Sequence, residues 1–423
     1  MKRVVLLSDI NNFYASVECL TNPKIRSCPV AVCGDIELRH GIVLARNPIA
    51  KVCGVRTGEV IHSAKQKCPG LVIVPPHMDM YYKFSDWARE IYSEYADNIE
   101  MFGLDENFIE VTNIVRDEND GKLIADEIRS KMREQLGVTC SIGVSFCKVF
   151  SKLASELRKV DATTVITRET YKDIAWRLPA DNLLGVNKGT MKIFNVMGIK
   201  TIGDIAIAPV DLLEKVFGKV GMYLHRYANG EENSSVKHKD YIEPPKTIGS
   251  VETTYRDMTT IDDVRRVVYL LSENVASRLR EQKYKCRTVK VYIREYDLKY
   301  CERQGKLETP SYITNNIAEK ALEIFRTRYH FTKPLRSIGV RACDLVPDNV
   351  SIQSSLFDDT AQDEKREKVA KMIDTLRAMY GYEVIQRGIV LEDKKLTYIP
   401  PDYNRSTYRI GSYIKREGDI NYG

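Results

Sequence analysis

The segment Met101–Val111, MFGLDENFIEV, sets two adjacent carboxylates, Asp105 and Glu106, inside an alternating apolar pattern. Gly103 precedes them as a turn residue, and Phe108, Ile109 and Val111 follow. Such alternation predicts a half-buried strand or the tip of a hairpin. Two neighbouring carboxylates in that setting repel each other and lose solvation, so they require a compensating cation. A divalent ion such as Mg²⁺ meets the need, because it takes oxygen ligands and keeps positions open for phosphate. Taken alone, an Asp-Glu pair in a hairpin is an ordinary solvated turn, and the rest of the chain has to decide between the two readings.

With 423 residues there is room for about two to four domains with real hydrophobic cores. The formal net charge is +6, and the span from Lys246 to Val350, with 20 Lys/Arg against 14 Asp/Glu, is itself basic. A basic span is compatible with nucleic acid or with a plain solvated surface. The ten cysteines make no C-x-x-C and the six histidines no H-x-x-x-H, which argues against a zinc site or a disulfide framework. Reduced thiols fit the cytosol. The apolar run Val4–Leu7 is too short for a signal peptide, and no run of about 18 apolar residues occurs elsewhere. A cytoplasmic protein without membrane segments is expected, and a monomer, since no heptad seam is visible.

Val4–Leu7 reads as a buried central strand that ends on an acid, Asp9. From Ile10 to Glu18 the spacing turns helical, with Phe13, Val17 and Leu20 on one face. A helix that starts directly after a strand offers unpaired backbone N–H groups, a cradle for phosphate. This stretch, SDINNFYASVE, is similar to the D-x-D-x-F-[FY]-A-S-V-E opening of Y-family (translesion) DNA polymerases. GLDENFIEV resembles the family's S-x-D-E-x-[FY]-x-[DE]-V segment. The resemblance extends over roughly the first 390 residues and is closest to the UmuC-like and UvrX-like branch.

The resemblance implies that Asp9, Asp105 and Glu106 are catalytic and, with the backbone carbonyl of Ile10, hold two Mg²⁺ ions. The amides of Asn12, Phe13 and Tyr14 would hold the triphosphate, and Tyr14 would be the steric gate against a ribose 2′-hydroxyl. Asn11 stands where the family has a second Asp that is not usually a ligand. IVLARNPIAKVCGVRTG (Ile42–Gly58) resembles the finger segment, with Pro48 for its Tyr and Lys51 for its Arg. Lys51 then offers the triphosphate a point charge in place of a bidentate fork. A long helix is expected from Tyr81 to about Tyr95 and another over Lys122–Leu136, with Leu123, Ile124, Ile128 and Met132 on its apolar side. CSIGVSFCKVFSKLASELRK (Cys140–Lys159) resembles the family's strand and helix with Cys147 for the usual Asn. Lys159 matches the lysine expected at the triphosphate, and Lys148 and Lys152 fit a basic helix face.

LLGVNKGTMKIFNVMGIKTIGDIA (Leu183–Ala206) resembles a helix-hairpin-helix, opened at Gly185-Val186-Asn187, capped at Gly198 and resumed at Thr201–Asp204. Asn187 replaces the second Gly of the hairpin, a position where Asn tolerates positive φ. Gly185, Asn187 and Gly189 are the DNA-contact candidates there. A polar linker runs over Asn229–Pro245. KTIGSVETTY (Lys246–Tyr255) resembles the start of the family's little finger, with Lys246 and Gly249 as DNA contacts. Arg287–Arg294 and Arg336–Cys343 alternate basic with apolar residues. They are expected to turn Arg287, Lys290, Arg336 and Arg341 outward along the phosphates. Gln353-Ser354-Ser355-Leu356-Phe357 fits Q-x-x-L-F and resembles the sliding-clamp-binding peptide of bacterial polymerases. Gln353, Leu356 and Phe357 would be its contacts with the clamp's beta subunit. A charged helix is expected over Asp363–Leu376, within a C-terminal tail.

The expected architecture is multidomain, α/β and α+β, shaped as a right-hand polymerase. Palm falls at 1–10 and 74–168, small fingers at 11–73, and a helical thumb with the helix-hairpin-helix at 169–236. A linker follows at 237–245, a basic little finger at 246–350 and a tail at 351–423. The implied function is low-fidelity, template-directed addition of dNTPs to a primer opposite damaged bases, in DNA repair and the SOS response. Two other readings stay open: a catalytically inactive, polymerase-like DNA-binding protein, and a palm-type nucleotidyl cyclase. The cyclase has no use for the basic domain, the hairpin motif or the clamp-like peptide.

Overall fold

A computed structural model of the chain describes residues 2–35, 39, 41–349 and 360–397. The clamp-like peptide Gln353–Phe357 and the last 26 residues lie outside them. The chain divides into two compact units: Met1–Gly34 with Ile42–Tyr241, and Asp35–Gly41 with Ile242–Gly423.

The first unit begins with β1 (Val5–Ile10), whose six residues are all buried. α1 (Phe13–Thr21) follows after two residues, and β2 (Val30–Cys33), β3 (Val43–Arg46), α2 (Pro48–Val52), α3 (Ile61–Lys67) and β4 (Val72–Val74) form a small lobe. Its three-stranded sheet, ordered β3-β2-β4, has its own core around Val43, Ala50, Val55 and Ile61. The long helix α4 (Met78–Ser93) starts three residues earlier than the sequence suggests. Next come β5 (Ile99–Met101), β6 (Glu106–Glu110), α5 (Glu118–Leu136), β7 (Cys140–Ser145), α6 (Lys148–Leu157) and β8 (Thr163–Ile166).

The five-stranded sheet is ordered β5-β6-β1-β7-β8. Its strands are antiparallel except for β7 and β8, which run parallel through the α6 crossover. One face, with Val4, Leu6, Ile10, Ile109, Ile142 and Val144, packs on α4 and α5. Leu123 is not part of that contact: it is 67% exposed, and Ala125 takes the buried place beside Ile128 and Met132. The assignment fails because 3.6-residue spacing turns Leu123 off the stripe that Ala125 completes. The other face carries Val5, Leu7 and Phe108 under Val236. The stretch 232–237, polar enough to read as a linker, is therefore pinned to the sheet. Val236 is buried, and Lys148 bonds the Ser235 carbonyl at 2.7 Å and Glu100 at 2.6 Å. Lys148 is thus buried, not part of a solvated basic face.

α7 (Tyr171–Ala175), α8 (Lys188–Met197), α9 (Ile202–Ile207), α10 (Val210–Phe217) and α11 (Lys219–Ala228) complete the unit. They share one core with α6 through Phe146, Val149, Phe150 and Leu153. Gly198 ends α8 in the left-handed region, and Thr201 and Asp204 form a capping box that starts α9. Asn187 does not adopt positive φ. It is the N-cap of α8 at φ −110°, and its side chain accepts from the amides of Gly189 and Thr190 at 2.8 and 3.0 Å. Gly185, at φ +95°, alone takes the left-handed turn expected of the pair. An Asx cap satisfies two orphan amides, which the glycine it replaces could not do.

The second unit contains β9 (Ile248–Met258), α12 (Ile261–Glu281), β10 (Tyr284–Glu295), β11 (Tyr300–Ser311), α13 (Thr314–Arg328) and β12 (Leu335–Pro347). The antiparallel sheet β11-β10-β12-β9 sets Val289, Val291, Ile293, Ile338, Val340 and Ala342 against α12 and α13. Asp263 in the first turn of α12 accepts from the amides of Thr259 and Thr260 and from Arg256 at 2.8 and 3.0 Å. The Arg256 guanidinium holds its carboxyl far below the ordinary aspartate value of 3.8. A depressed pKa adds stability that is fully present above the unfolded value and is lost as pH falls through the folded one. Asp263→Ala is therefore expected to cost about 2–4 kcal/mol at pH 7. In urea unfolding at several pH values, the deficit should shrink below about pH 4.

Residues 360–397 are not a plain tail. α14 (Thr360–Tyr380), longer at both ends than the expected Asp363–Leu376, and α15 (Gly388–Leu391) fold back onto α12. Arg377, Tyr382 and Arg387 converge on the buried Glu273, Arg280 pairs with Asp374 at 2.6 Å, and Val390 and Leu396 are buried. The surface of α14 is charged enough to read as free, yet Arg377, Asp374 and Glu367 each meet a fixed partner of opposite charge, Glu273, Arg280 and Lys285. Among the described residues, no helix is long and apolar enough to cross a membrane.

Candidate active site

Strand register, not sequence distance, assembles the acids. β1 and β6 pair so that Asp9 lies opposite Glu106, and the Ile10 amide donates to the Asp105 carbonyl at 3.0 Å. Side chains alternate across a sheet, so Asp9 and Glu106 point to the same face. Asp105 occupies the turn ahead of β6, where Gly103 makes room: a Cβ there would sit 3.2 Å from Asp105 Oδ1. Asp9 and Glu106 thus meet at the end of β1 with Asp105 in the adjoining turn, but the acids whose ligand oxygens come within 4.8 Å of one another are Asp9, Glu106 and Glu156, not Asp105.

α6 and the residues that follow it add a further acid, Glu156, and two cations, Lys152 and Lys159. The helix crosses the sheet face at Gly143, the partner of Leu7 in β7, and approaches closely because that position has no side chain. Lys152 then reaches Glu106 at 2.6 Å and Asp9 at 4.0 Å, while Lys159 reaches Asp9 at 2.7 Å. Glu156 lies between the lysines, 3.0 Å from Lys152 and 3.1 Å from Lys159. Lys152 and Glu156 were not singled out as site residues by the sequence. Their i, i+4 spacing is an ordinary helix ion pair, and only the packing of α6 aims it at Asp9.

Electrostatics favour adding positive charge here. Burial, then Asp9 and Glu106, push Asp105 up to about 6, and burial raises Glu106 as well. Although burial opposes the charged form, Glu106 and Glu156 hold Lys152 above its ordinary value. Ligand oxygens of Asp9, Glu106 and Glu156 lie within 4.8 Å of one another. A set of hard oxygen donors, partly neutralised by the Lys152 and Lys159 ammonium groups, fits a divalent metal ion. Lys159, expected at the triphosphate, instead bonds Asp9 here.

α1 begins beside this cluster. Asn12 is its N-cap at φ +50°, with no side-chain capping bond, and Phe13 and Tyr14 open the first turn. Asn11 is buried and structural: it donates to Thr139 at 3.2 Å and accepts from Ser141 at 3.0 Å. That explains how an amide serves at the second-Asp position. Tyr14 stacks on Tyr81 with ring centroids 4.2 Å apart, and burial followed by Asp105 pushes its phenol up to about 12. Lys51 is exposed on α2.

On the outer face of the second unit's sheet, Lys290 and Arg341 are paired across β10 and β12. They do not form the purely cationic row expected, because Glu302 of β11 lies 3.1 Å from Lys290 and 3.9 Å from Arg341. Arg341 lies across Gly249, where a Cβ would meet it at 2.9 Å. Lys246 and Arg287 are exposed and Arg336 is half-buried.

Comparison with known proteins gives this geometry its family. The model of the impB/mucB/samB family matches residues 8–156, and that of its C-terminal domain matches residues 245–356. The chain belongs to this family of Y-family DNA polymerases. It is 47% identical over 399 residues to a protein of Acetivibrio thermocellus named DNA polymerase IV, covering 94% of this chain and all of that one. A Clostridium acetobutylicum protein of the same name is 33% identical over 402 residues, covering 93% of this chain and all of its own length. Among solved structures, a chimeric Y-family DNA polymerase shares the fold with a TM-score of 0.72 at 23% identity, covering 81% of this chain and 99% of its own. The family's multidomain polymerase architecture is therefore the frame in which Asp9, Asp105 and Glu106 stand.

Proposed function

We propose that this chain is a DNA-directed DNA polymerase that extends a primer opposite damaged template bases, using two Mg²⁺ ions held by Asp9, Asp105, Glu106 and the Ile10 carbonyl. The observation that carries the reading is the Asp9–Glu106 register with Asp105 at the adjoining turn, in a chain whose relatives match it almost end to end. When bound, such ions supply the charge that acidifies the primer 3′-hydroxyl and screens the departing pyrophosphate. The chain's own residues do the positioning. The carboxylates fix where positive charge sits, and the first amides of α1 at Asn12, Phe13 and Tyr14 offer donors to phosphate oxygens. Lys152 and Lys159, which here pair with Glu106 and Asp9, would yield those oxygens to bound ions, and Lys159 with Lys51 would then be available to the triphosphate. Primer extension with Mg²⁺, four dNTPs and intact or damaged templates tests the reading. Normal primer–template binding with no extension would instead establish the non-catalytic alternative.

Tyr14 serves in this proposal as the steric gate, its ring under the incoming sugar. Tyr14→Ala should raise ribonucleotide incorporation by about a hundredfold or more in single-nucleotide kinetics, since the bulk that excludes the 2′-hydroxyl is gone.

Primer–template DNA is bound through Gly185, Asn187 and Gly189 at the hairpin and through Lys246, Gly249, Arg287, Lys290, Arg336 and Arg341 on the second unit. Such contacts act on phosphates and carry no sequence information. Lys290→Ala with Arg341→Ala is expected to lower the slope of log Kd against log salt by about one to two units. Glu302 softens the effect, because it already neutralises part of this charge. The sliding clamp's beta subunit is assigned to Gln353, Leu356 and Phe357 on sequence resemblance, and the protein is read as a cytoplasmic monomer, a reading its free cysteines support for the compartment.

A further inference from the structure

A buried carboxylate that the mechanism does not use lies one helical turn from Tyr14. Glu18 is 4% exposed, on the same face of α1 as Tyr14 at i, i+4. Its acceptors are met from α4 and its N-cap: the Tyr81 hydroxyl donates to Oε1, and His77 Nδ1 lies 2.9 Å from Oε1 and 3.0 Å from Oε2. Tyr81 is fully buried, and its ring is the one stacked on Tyr14, 4.2 Å between centroids and 10° from parallel. Phe13 packs beside both rings, 6.0 Å from Tyr81 and 5.5 Å from Tyr14 between centroids.

We propose that Glu18 is a positioning residue for sugar selection, fixing Tyr81 so that Tyr81 fixes the Tyr14 ring. The inference rests on the reading of Tyr14 as the steric gate. The physical argument is one of stiffness. A ring that discriminates a single hydroxyl has to resist displacement by an oxygen's width, and Tyr14 is only half-buried, so its own surroundings do not lock it. Tyr81 cannot slide while its hydroxyl is bound to a carboxylate that water does not reach. Burial and the Glu18 bond keep that hydroxyl protonated, so the donor is permanent. A carboxylate is used because a charged acceptor makes a shorter, stronger bond than a neutral one. Its burial is tolerated because Tyr81 and His77 both supply donors. The arrangement ties the gate to the helix behind it, not to the metal cluster.

The ratio of kcat/KM for dNTP to that for the matching rNTP decides the matter, measured alongside the melting temperature. Tyr81→Phe keeps the ring but removes the tether, and Glu18→Leu removes the acceptor at similar volume. Each is expected to lower the ratio by about tenfold, through a lower KM for the rNTP and not through kcat for the dNTP. Glu18→Gln, whose amide oxygen still accepts from Tyr81, should retain most of the selectivity. Tyr14→Ala is the reference. If it relaxes selectivity while Tyr81→Phe and Glu18→Leu change only the melting temperature, the clasp is merely structural and the inference is overturned. If Tyr14→Ala itself leaves the ratio unchanged, the gate reading fails first, and the two failures are told apart by that one variant.

Discussion

Asp105→Ala is expected to lower the rate of primer extension by at least about a thousandfold while leaving primer–template affinity within a few fold. The reason is the division of labour across the molecule. Asp105 sits in the turn between β5 and β6, against Asp9 and Glu106, whereas the DNA-contact candidates Lys290 and Arg341 belong to β10 and β12 of the second unit. Its elevated pKa, about 6, arises from burial beside two other acids, so the charge it carries is intended for a cation and not for the fold. Removing it should not unfold the protein: an acid raised by burial opposes folding above its pKa, so the variant should be at least as stable at pH 7 in thermal unfolding. Single-turnover extension and fluorescence anisotropy with labelled primer–template, run on the same preparation, separate the two quantities. Near-normal extension by the variant would remove Asp105 from the reaction, and with it the proposed mechanism.

Gly143→Ala is expected to be the most damaging single methyl group in the first unit, costing about 3 kcal/mol or more in urea unfolding. A Cβ at this position would lie 1.9 Å from the Ser151 carbonyl oxygen and 2.5 Å from the Ser155 amide nitrogen. Both are backbone atoms of α6, so no rotamer change relieves the clash and the helix has to move away from β7. Activity should fall with stability, because α6 delivers Lys152 and Glu156, and Lys159 follows directly after it. Serine at 143 should behave like alanine. An unchanged urea midpoint would show that α6 tolerates a greater separation from the sheet than the contacts indicate.

Local sequence was enough for the elements whose signals are local. Val4–Leu7 announces a buried strand because the residues are β-branched or leucine without interruption. Gly198 and the Thr201–Asp204 box announce a helix end and a helix start because each satisfies backbone groups within a few residues. Asp9, Asp105 and Glu106 were legible through their family-like surroundings, and strand register then brought Asp9 opposite Glu106 with Asp105 at the turn. The readings that failed depended on what lies across space. Lys148 looked solvent-facing until Glu100 and the Ser235 carbonyl met it. Asn187 looked like a left-handed turn residue until Gly189 and Thr190 offered it two amides to cap.

By itself, then, the sequence determined the first strand, the Gly198 and Thr201–Asp204 caps and the pair of adjacent acids in an apolar strand, since these follow from periodicity and from charge confined to apolar surroundings. Only the tertiary structure decided that Glu156 and Lys152 belong to the acidic cluster, that Glu302 tempers the cationic face, that Glu273 anchors the C-terminal helices, and that Glu18 reaches Tyr14 through Tyr81. Each of these is an electrostatic or packing relation between residues far apart in the chain. Coulomb attraction and hydrogen bonding act over a few ångströms, and those distances exist only once the helices have settled on their sheets.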